Sequence, residues 1–350
     1  MSDLIEVLPL HRFDEIRLAA YLVGALPGVG NIRVRQFQGG QSNPTYLLET
    51  GLGRLVLRKK PPGVLLPSAH QIEREYRIIA ALRGTAVPVP EALHLCEAAG
   101  VIGTPFFVMR HVEGRIFQQP DLAAAPKDER RALFLSAAET LAVLHGVDYR
   151  AAGLESFGKP ENYLVRQIDR WSRQYRASDS GDVAMDALIQ WLEANIPAPG
   201  RVAIAHGDYR IGNLIFAPEA PRVAAVLDWE LSTIGDPLGD LAYCCLCYHL
   251  PHDVPGVKGL AGLDLAAEGL PDEADFVAHY CRHAGLAEVA DWTFYRAFAL
   301  FRLAAILFGV NARARQGNAA NADALTAGRN AGLLAQIGVD LAQIPKGKGG

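Results

Sequence analysis

The stretch His206-Gly207-Asp208-Tyr209-Arg210-Ile211-Gly212-Asn213, followed by Val226-Leu227-Asp228-Trp229-Glu230, decides how this chain is read. An Asp, an Asn five positions later and a second Asp ending an apolar strand form a layout suited to phosphoryl transfer. Asp208 can accept or orient a substrate hydroxyl. Asn213 and Asp228 can offer oxygen ligands to Mg²⁺, and such a metal holds nucleotide phosphates. Chemistry of this kind asks the protein mainly to position groups and neutralise developing charge. An Asx-rich loop before a strand is the plain alternative. Against it, the His-Gly prefix, the spacing and the downstream Asp occur together.

The form H-G-D-x-x-x-x-N resembles the catalytic loop of the aminoglycoside phosphotransferase and choline kinase superfamily. Three further stretches are similar to one subgroup, the kinase-like domain fused to, or found beside, acyl-CoA dehydrogenases. They are Gly39-Gly40-Gln41-Ser42-Asn43-Pro44-Thr45-Tyr46, Arg58-Lys59-Lys60-Pro61-Pro62-Gly63, and the run from Leu227-Asp228-Trp229-Glu230 through Gly235-Asp236-Pro237-Leu238-Gly239-Asp240-Leu241-Ala242. The resemblance extends from about Phe37 to about Arg315. It implies a two-lobed, protein-kinase-like α+β fold with a small antiparallel-sheet N-lobe and a mainly helical C-lobe. The N-lobe is expected over residues 1–111, the helical lobe over 112–345, and a disordered tail over 346–350. ATP and Mg²⁺ are the implied cofactors and a small-molecule hydroxyl the implied acceptor. His206 is expected to brace the loop rather than do chemistry.

Composition is consistent with this. The chain has 350 residues, 50% hydrophobic and 21% charged, which suits one large or two coupled globular domains. A formal net charge of −4 gives no general attraction to nucleic acid or acidic membranes. No basic, then apolar N-terminal segment reads as an export signal. The apolar stretch Phe298 to Val310 is interrupted by Arg302 and reads as a buried helix. Five cysteines, an odd number, point to a reducing cytoplasm rather than a secreted disulfide framework. Cys244 and Cys247 form a C-x-x-C in an apolar helical run, where core packing is the expected role.

Turn residues and periodicity place the elements. Arg33 to Gln38, Tyr46 to Thr50 and Arg54 to Lys59 read as strands separated by turn compositions. Ser68 followed by Gln71 reads as a capping box for a helix to about Arg83. Leu93 to Cys96 and Pro105 to Met109 read as two more strands. After Glu113-Gly114-Arg115 the pattern becomes helical: Lys127 to Gly146, Asn162 to Arg176, Val183 to Asn195, Leu238 to Leu250, Asp272 to His283, Trp292 to Arg315 and Asn321 to Ile337. A hairpin, Leu214 to Phe216 and Val223 to Leu227, interrupts it.

Several candidates depend on this order. Gly40, Ser42 and Asn43 lie in the turn expected to touch β- or γ-phosphate oxygens. The phosphate cation is Arg58 or Lys59, which alternate onto opposite strand faces; the family position falls on Arg58. Its partner should be Glu75. Backbone groups of Arg110, His111 and Val112 should meet adenine, as fold order implies. Glu230 is either a further metal or substrate ligand or a solvated loop carboxylate. Asp236 and Asp240 are expected to hold the catalytic loop from below. Arg166, Arg170 and Arg173 share a helical face, readable as solvated surface or as an anchor for an acidic substrate tail such as coenzyme A phosphates. Trp229-Glu230 stands where protein kinases carry Phe-Gly, and no Ala-Pro-Glu run follows, which favours a small-molecule kinase. The subgroup resemblance points to a hydroxyacyl-CoA or hydroxy acid, with an acyl-CoA dehydrogenase as a partner. The rivals are an aminoglycoside-type antibiotic kinase and a catalytically silent nucleotide-binding partner of such a dehydrogenase.

Overall fold

The computed structural model describes residues 4–38, 43–61, 71–315, 326 and 328–344. These fall into two compact units. The first comprises Met1–Ile116, Ala152–Leu154 and Asn213–Ser232; the second comprises Phe117–Ala151, Glu155–Gly212 and Thr233–Gly350. The units therefore follow packing rather than one cut in the chain.

The first unit is built on a six-stranded antiparallel sheet. Its strands are β1 (Leu4–Ile5), β2 (Arg33–Phe37), β3 (Thr45–Thr50), β4 (Gly53–Lys59), β5 (Ala92–Cys96) and β6 (Phe106–Arg110), in the order β1-β2-β3-β4-β6-β5. Alternation decides which face each residue serves. Leu55 and Leu57 of β4 join Tyr46, Leu48, Phe106 and Val108 in one apolar cluster. Helix α1 (Glu15–Ala25) covers that cluster with Leu18 and Leu22, and Asp14 caps it by accepting from Arg17 N–H at 2.9 Å. Helix α2 (Ile72–Leu82) packs on β5 and β6. Ser68 lies outside the described residues, and Gln71 at the N-cap makes no side-chain cap bond. The buried stripe of α2 reads Ile72, Glu75, Ile78, Ile79 and Leu82. Its one charged member needs a partner there.

A hairpin, Leu214–Phe216 with Val223–Val226, belongs to the same unit. Arg115 exchanges both backbone bonds with Phe216 (2.8 and 2.9 Å). A Cβ on the preceding Gly114 would stand 2.2 Å from the Phe216 carbonyl oxygen, so that close approach requires glycine.

The second unit is helical: α3 (Lys127–Gly146), α4 (Tyr163–Arg176), α5 (Val183–Ala194), α6 (Leu238–His249), α7 (Glu273–Ala284), α8 (Trp292–Arg315) and α9 (Ala331–Leu341). A short sheet pairs Ala203–Ala205 with Thr233–Gly235, an element the sequence reading did not contain. The core gathers Leu164, Trp171, Leu188, Phe298, Phe301 and Leu334 with their neighbours. By length and composition α8 could cross a membrane, yet 67% of its apolar window is buried inside the protein. It reads here as the central core helix. Most observed strands and helices match the expected ones within a few residues, although the last helix, expected over Asn321–Ile337, is described from Ala331 to Leu341; the two units have the expected α+β character.

Candidate active site

In the first unit, β4 delivers Arg58 to the α2 side of the sheet, where its guanidinium pairs with Glu75 at 2.7 Å and Asp228 at 3.3 Å. Arg58 and Glu75 are both buried, and the Asp228 side chain is 34% exposed. Burial alone would lower the Arg58 pKa, but Glu75, Asp228 and Glu230 hold it above its ordinary value. Burial pushes the Glu75 carboxyl up to about 7; Arg58 opposes that shift, and the charges of Asp228 and Glu230 add to it. Lys59 points the other way, buried, with its ammonium 6.0 Å from the Phe13 ring centre. Of the two candidate cations, the fold brings only Arg58 to the carboxylates.

Asp228 is itself unusual. Its backbone adopts φ 66°, ψ 59°, the left-handed region that few non-glycine residues enter. It heads a 3₁₀ turn over Trp229–Leu231. Trp229 is fully buried and donates its indole N–H to the Val226 carbonyl at 3.0 Å. The indole thus fixes the turn from inside while Asp228 stays partly exposed. Glu230 is neither core nor free: its carboxylate accepts from the buried Asn43 amide at 3.2 Å. Asn213 is also buried, and its carbonyl accepts from Leu227 N–H at 2.9 Å, which ties the expected metal amide to the strand leading into Asp228.

The arrangement suits a divalent cation. Three carboxyl groups (Glu75, Asp228, Glu230) act on one guanidinium, and the partly exposed Asp228 offers oxygen ligands. Glu75 Oε2 is buried without a hydrogen-bond partner. Such a set is costly unless something compensates it.

At the end of β6, Arg110 and His111 use their backbone N–H groups on the Glu91 and Arg54 carbonyls (2.9 and 3.2 Å). The His111 ring stacks against Phe37. Of the three expected hinge residues, Val112 is the one whose N–H the sheet does not take. Gly40 and Ser42 lie outside the described residues.

The second unit holds the start of the expected catalytic loop. Gly207 takes φ 84°, so the loop turns sharply after His206. The His206 ring is fully buried and accepts the Asp208 N–H at 3.2 Å, the bracing role expected of it. Asp240, on α6, accepts from the backbone N–H of His206 and, at 2.8 Å, of Gly207. Burial opposes its charge, but His145, His206 and these donors keep its pKa below the usual value. Asp236 does something else. It accepts from Leu238 N–H at 2.9 Å and from the Tyr295 hydroxyl at 2.8 Å, so its bonds tie the start of α6 to α8 rather than holding the loop. An Asp240→Asn variant presents an amide where two N–H donors converge. It is expected to lose about 1–3 kcal/mol of stability, read from the urea midpoint at constant m-value.

Two residues at this loop were not foreseen. Arg302 of α8 is buried, lies over the Trp171 and Tyr243 rings (5.4 and 4.9 Å), and donates to the Gly207 carbonyl. The visible signal was a charge interrupting an apolar helix. Burial, and then the charge of nearby Asp208, raises the pKa of Tyr243. The Asp208 carboxylate also lies 3.4 Å from Arg210 Nε. Beside them is a cavity of about 250 Å³ lined by Arg210, Tyr243, Cys247, Lys258 and several leucines. Cys244 and Cys247 are free buried thiols whose pKa values burial raises, consistent with packing. The three candidate arginines lie on α4. Arg166 donates to the Lys159 carbonyl, Arg173 pairs with Asp169 at 2.8 Å, and Arg170 lies 4.9 Å from the Trp171 ring centre.

Comparison with known proteins accords with this geometry. A solved structure from Ralstonia eutropha JMP134, provisionally named an aminoglycoside phosphotransferase, has a TM-score of 0.86 and 43% identity, covering 96% of this chain and 100% of that one. Choline kinase from Cryptosporidium parvum shares the kinase-like fold, with a TM-score of 0.64 at 13% identity over 95% of this chain and 98% of its own. Among curated proteins, mouse acyl-CoA dehydrogenase family member 10 is 44% identical over 93% of this chain and 31% of its own length. Rat family member 11 is 41% identical over 97% of this chain and 45% of its own length. The chain thus spans less than half of these relatives. The family model described as the phosphotransferase enzyme family matches residues 33–298, which contain Arg58, Glu75, Asp208, Asn213 and Asp228, and the chain belongs to that family.

Proposed function

We propose that this chain is an ATP- and Mg²⁺-dependent phosphotransferase acting on the hydroxyl of a hydroxyacyl-CoA or hydroxy acid. The observation that carries this reading is the Arg58 guanidinium held between Glu75 and Asp228. A cation locked by a helix carboxylate is the device that grips nucleotide phosphates in kinases. Asp228 and Asn213 would hold the metal, which when bound neutralises phosphate charge. Asp208 accepts the proton of the acceptor hydroxyl, or orients that hydroxyl for attack. His206 and Asp240 keep its loop in place. The relatives' names support an acyl-CoA type of acceptor and an acyl-CoA dehydrogenase as a working partner. The apolar cavity beside Asp208 speaks against an aminoglycoside, which would call for carboxylates in its place.

A coupled assay with MgATP tests the reading. A hydroxyacyl-CoA should be phosphorylated better than the free hydroxy acid, and better than any aminoglycoside. Arg170, with Arg166 and Arg173 beside it, is the proposed handle for coenzyme A phosphates. The Arg173–Asp169 pair is exposed and worth little, so it can open. Replacing all three arginines by Ala should raise KM for the CoA ester and leave KM for ATP unchanged. Inert CoA esters alongside active amino sugars would overturn the acceptor class.

A further inference from the structure

We infer that the cavity beside Asp208 is a seat for an aliphatic segment of the acceptor, and that Leu307 and Leu334 set its length limit. This rests on the phosphotransferase reading and adds specificity residues to it. The argument begins with direction. Tyr243 and Leu246 line the cavity from α6, and Leu250 from the residue just after it, so the wall runs about two helical turns, roughly 10 Å, away from Tyr243. Tyr243 is the residue on which the nearby Asp208 carboxylate acts. Arg210, also in the wall, lies against the same carboxylate. Arg210 and Tyr243 therefore make the Asp208 side of the cavity polar, and Gln118 and Lys258 are the other polar residues of its lining. Leu303 and Leu307 of α8 and Leu334 of α9 supply much of its apolar lining.

An occupant must match this polarity. A sugar-like acceptor would leave its hydroxyls unpaired against leucines. An alkyl segment gains apolar burial against the leucines. Size sets the limit. A dry apolar cavity of about 150 Å³ accepts the six carbons of benzene, so about 250 Å³ has room for about ten carbons.

The test uses the full chain and two readouts. The first is kcat/KM over a homologous series of hydroxyacyl-CoA thioesters of about four to about sixteen carbons, with MgATP saturating. The expected profile rises to about ten carbons and then falls. Leu307→Trp fills the cavity and should lower kcat/KM for the ten-carbon ester at least about tenfold while sparing the shortest one. Leu334→Phe is the milder second variant, expected to move the optimum in the same direction. Thermal melts confirm that each variant is folded. The second readout is calorimetric binding of decanoate, which has no hydroxyl to phosphorylate. It should bind the wild type and be weakened at least about tenfold in both variants. A flat chain-length profile, or decanoate binding indifferent to both substitutions, overturns the seat. Decanoate binding that responds to both variants while no hydroxyacyl ester turns over supports the seat and overturns the acceptor reading instead.

Discussion

Replacing Asp208 by Asn is expected to lower turnover by about 10²–10⁴-fold while MgATP affinity stays unchanged. The substitution keeps size and shape and removes only the charge and its basicity. Asp208 sits on a loop whose backbone is held by Asp240, His206 and Arg302, so the variant should keep the wild-type fold. Its carboxylate lies beside Arg210 and is only partly buried, which leaves it suited to an acceptor hydroxyl. The effect should therefore appear in kcat with the acceptor and not in nucleotide calorimetry. Turnover near wild type in this variant would remove Asp208 from the mechanism.

Asp228→Asn should weaken Mg²⁺-dependent nucleotide binding by at least about 100-fold, since even groups behind the ligands of metal sites contribute about 10–100-fold. Asn is the informative replacement. It tolerates the left-handed backbone that Asp228 adopts, whereas Ala would add strain to the loss of charge. The Arg58–Glu75 pair at 2.7 Å survives the change, so the cation for phosphate stays in place and only the anionic ligand is lost. Calorimetry with ATP, with and without MgCl₂, reads the effect. Equal MgATP affinity in wild type and variant would put the metal elsewhere.

Much of this was legible in the sequence. The fold followed from element order, because alternation and turn residues mark β2 to β6 and periodicity marks α3 to α8. The catalytic loop was legible because its residues are close in the chain. Glu75 could be named only through resemblance, since its contact with Arg58 joins a strand to a helix across the sheet. The choice between Arg58 and Lys59 stayed open for a physical reason: both strand faces are covered, so hydrophobic alternation carries no information there. Asp236 and Asp240 looked alike in one dimension, and only packing showed that one ties α6 to α8 and the other holds a loop. Tyr243 and Arg302 lie 35 and 94 positions after Asp208 in the chain, beyond the reach of any local motif.

Helix α8 has an implication for how such a protein can change over generations. Arg302 anchors the catalytic loop through the Gly207 carbonyl, and its sequence neighbour Leu303 lines the cavity. One backbone segment thus touches both the proposed catalytic loop and the proposed acceptor seat. A mutation that reshapes the pocket by shifting this turn would disturb the loop as well. Adaptation to new acceptors should therefore accumulate first at Leu334, on a separate helix, where variation is uncoupled from the machinery that sets speed.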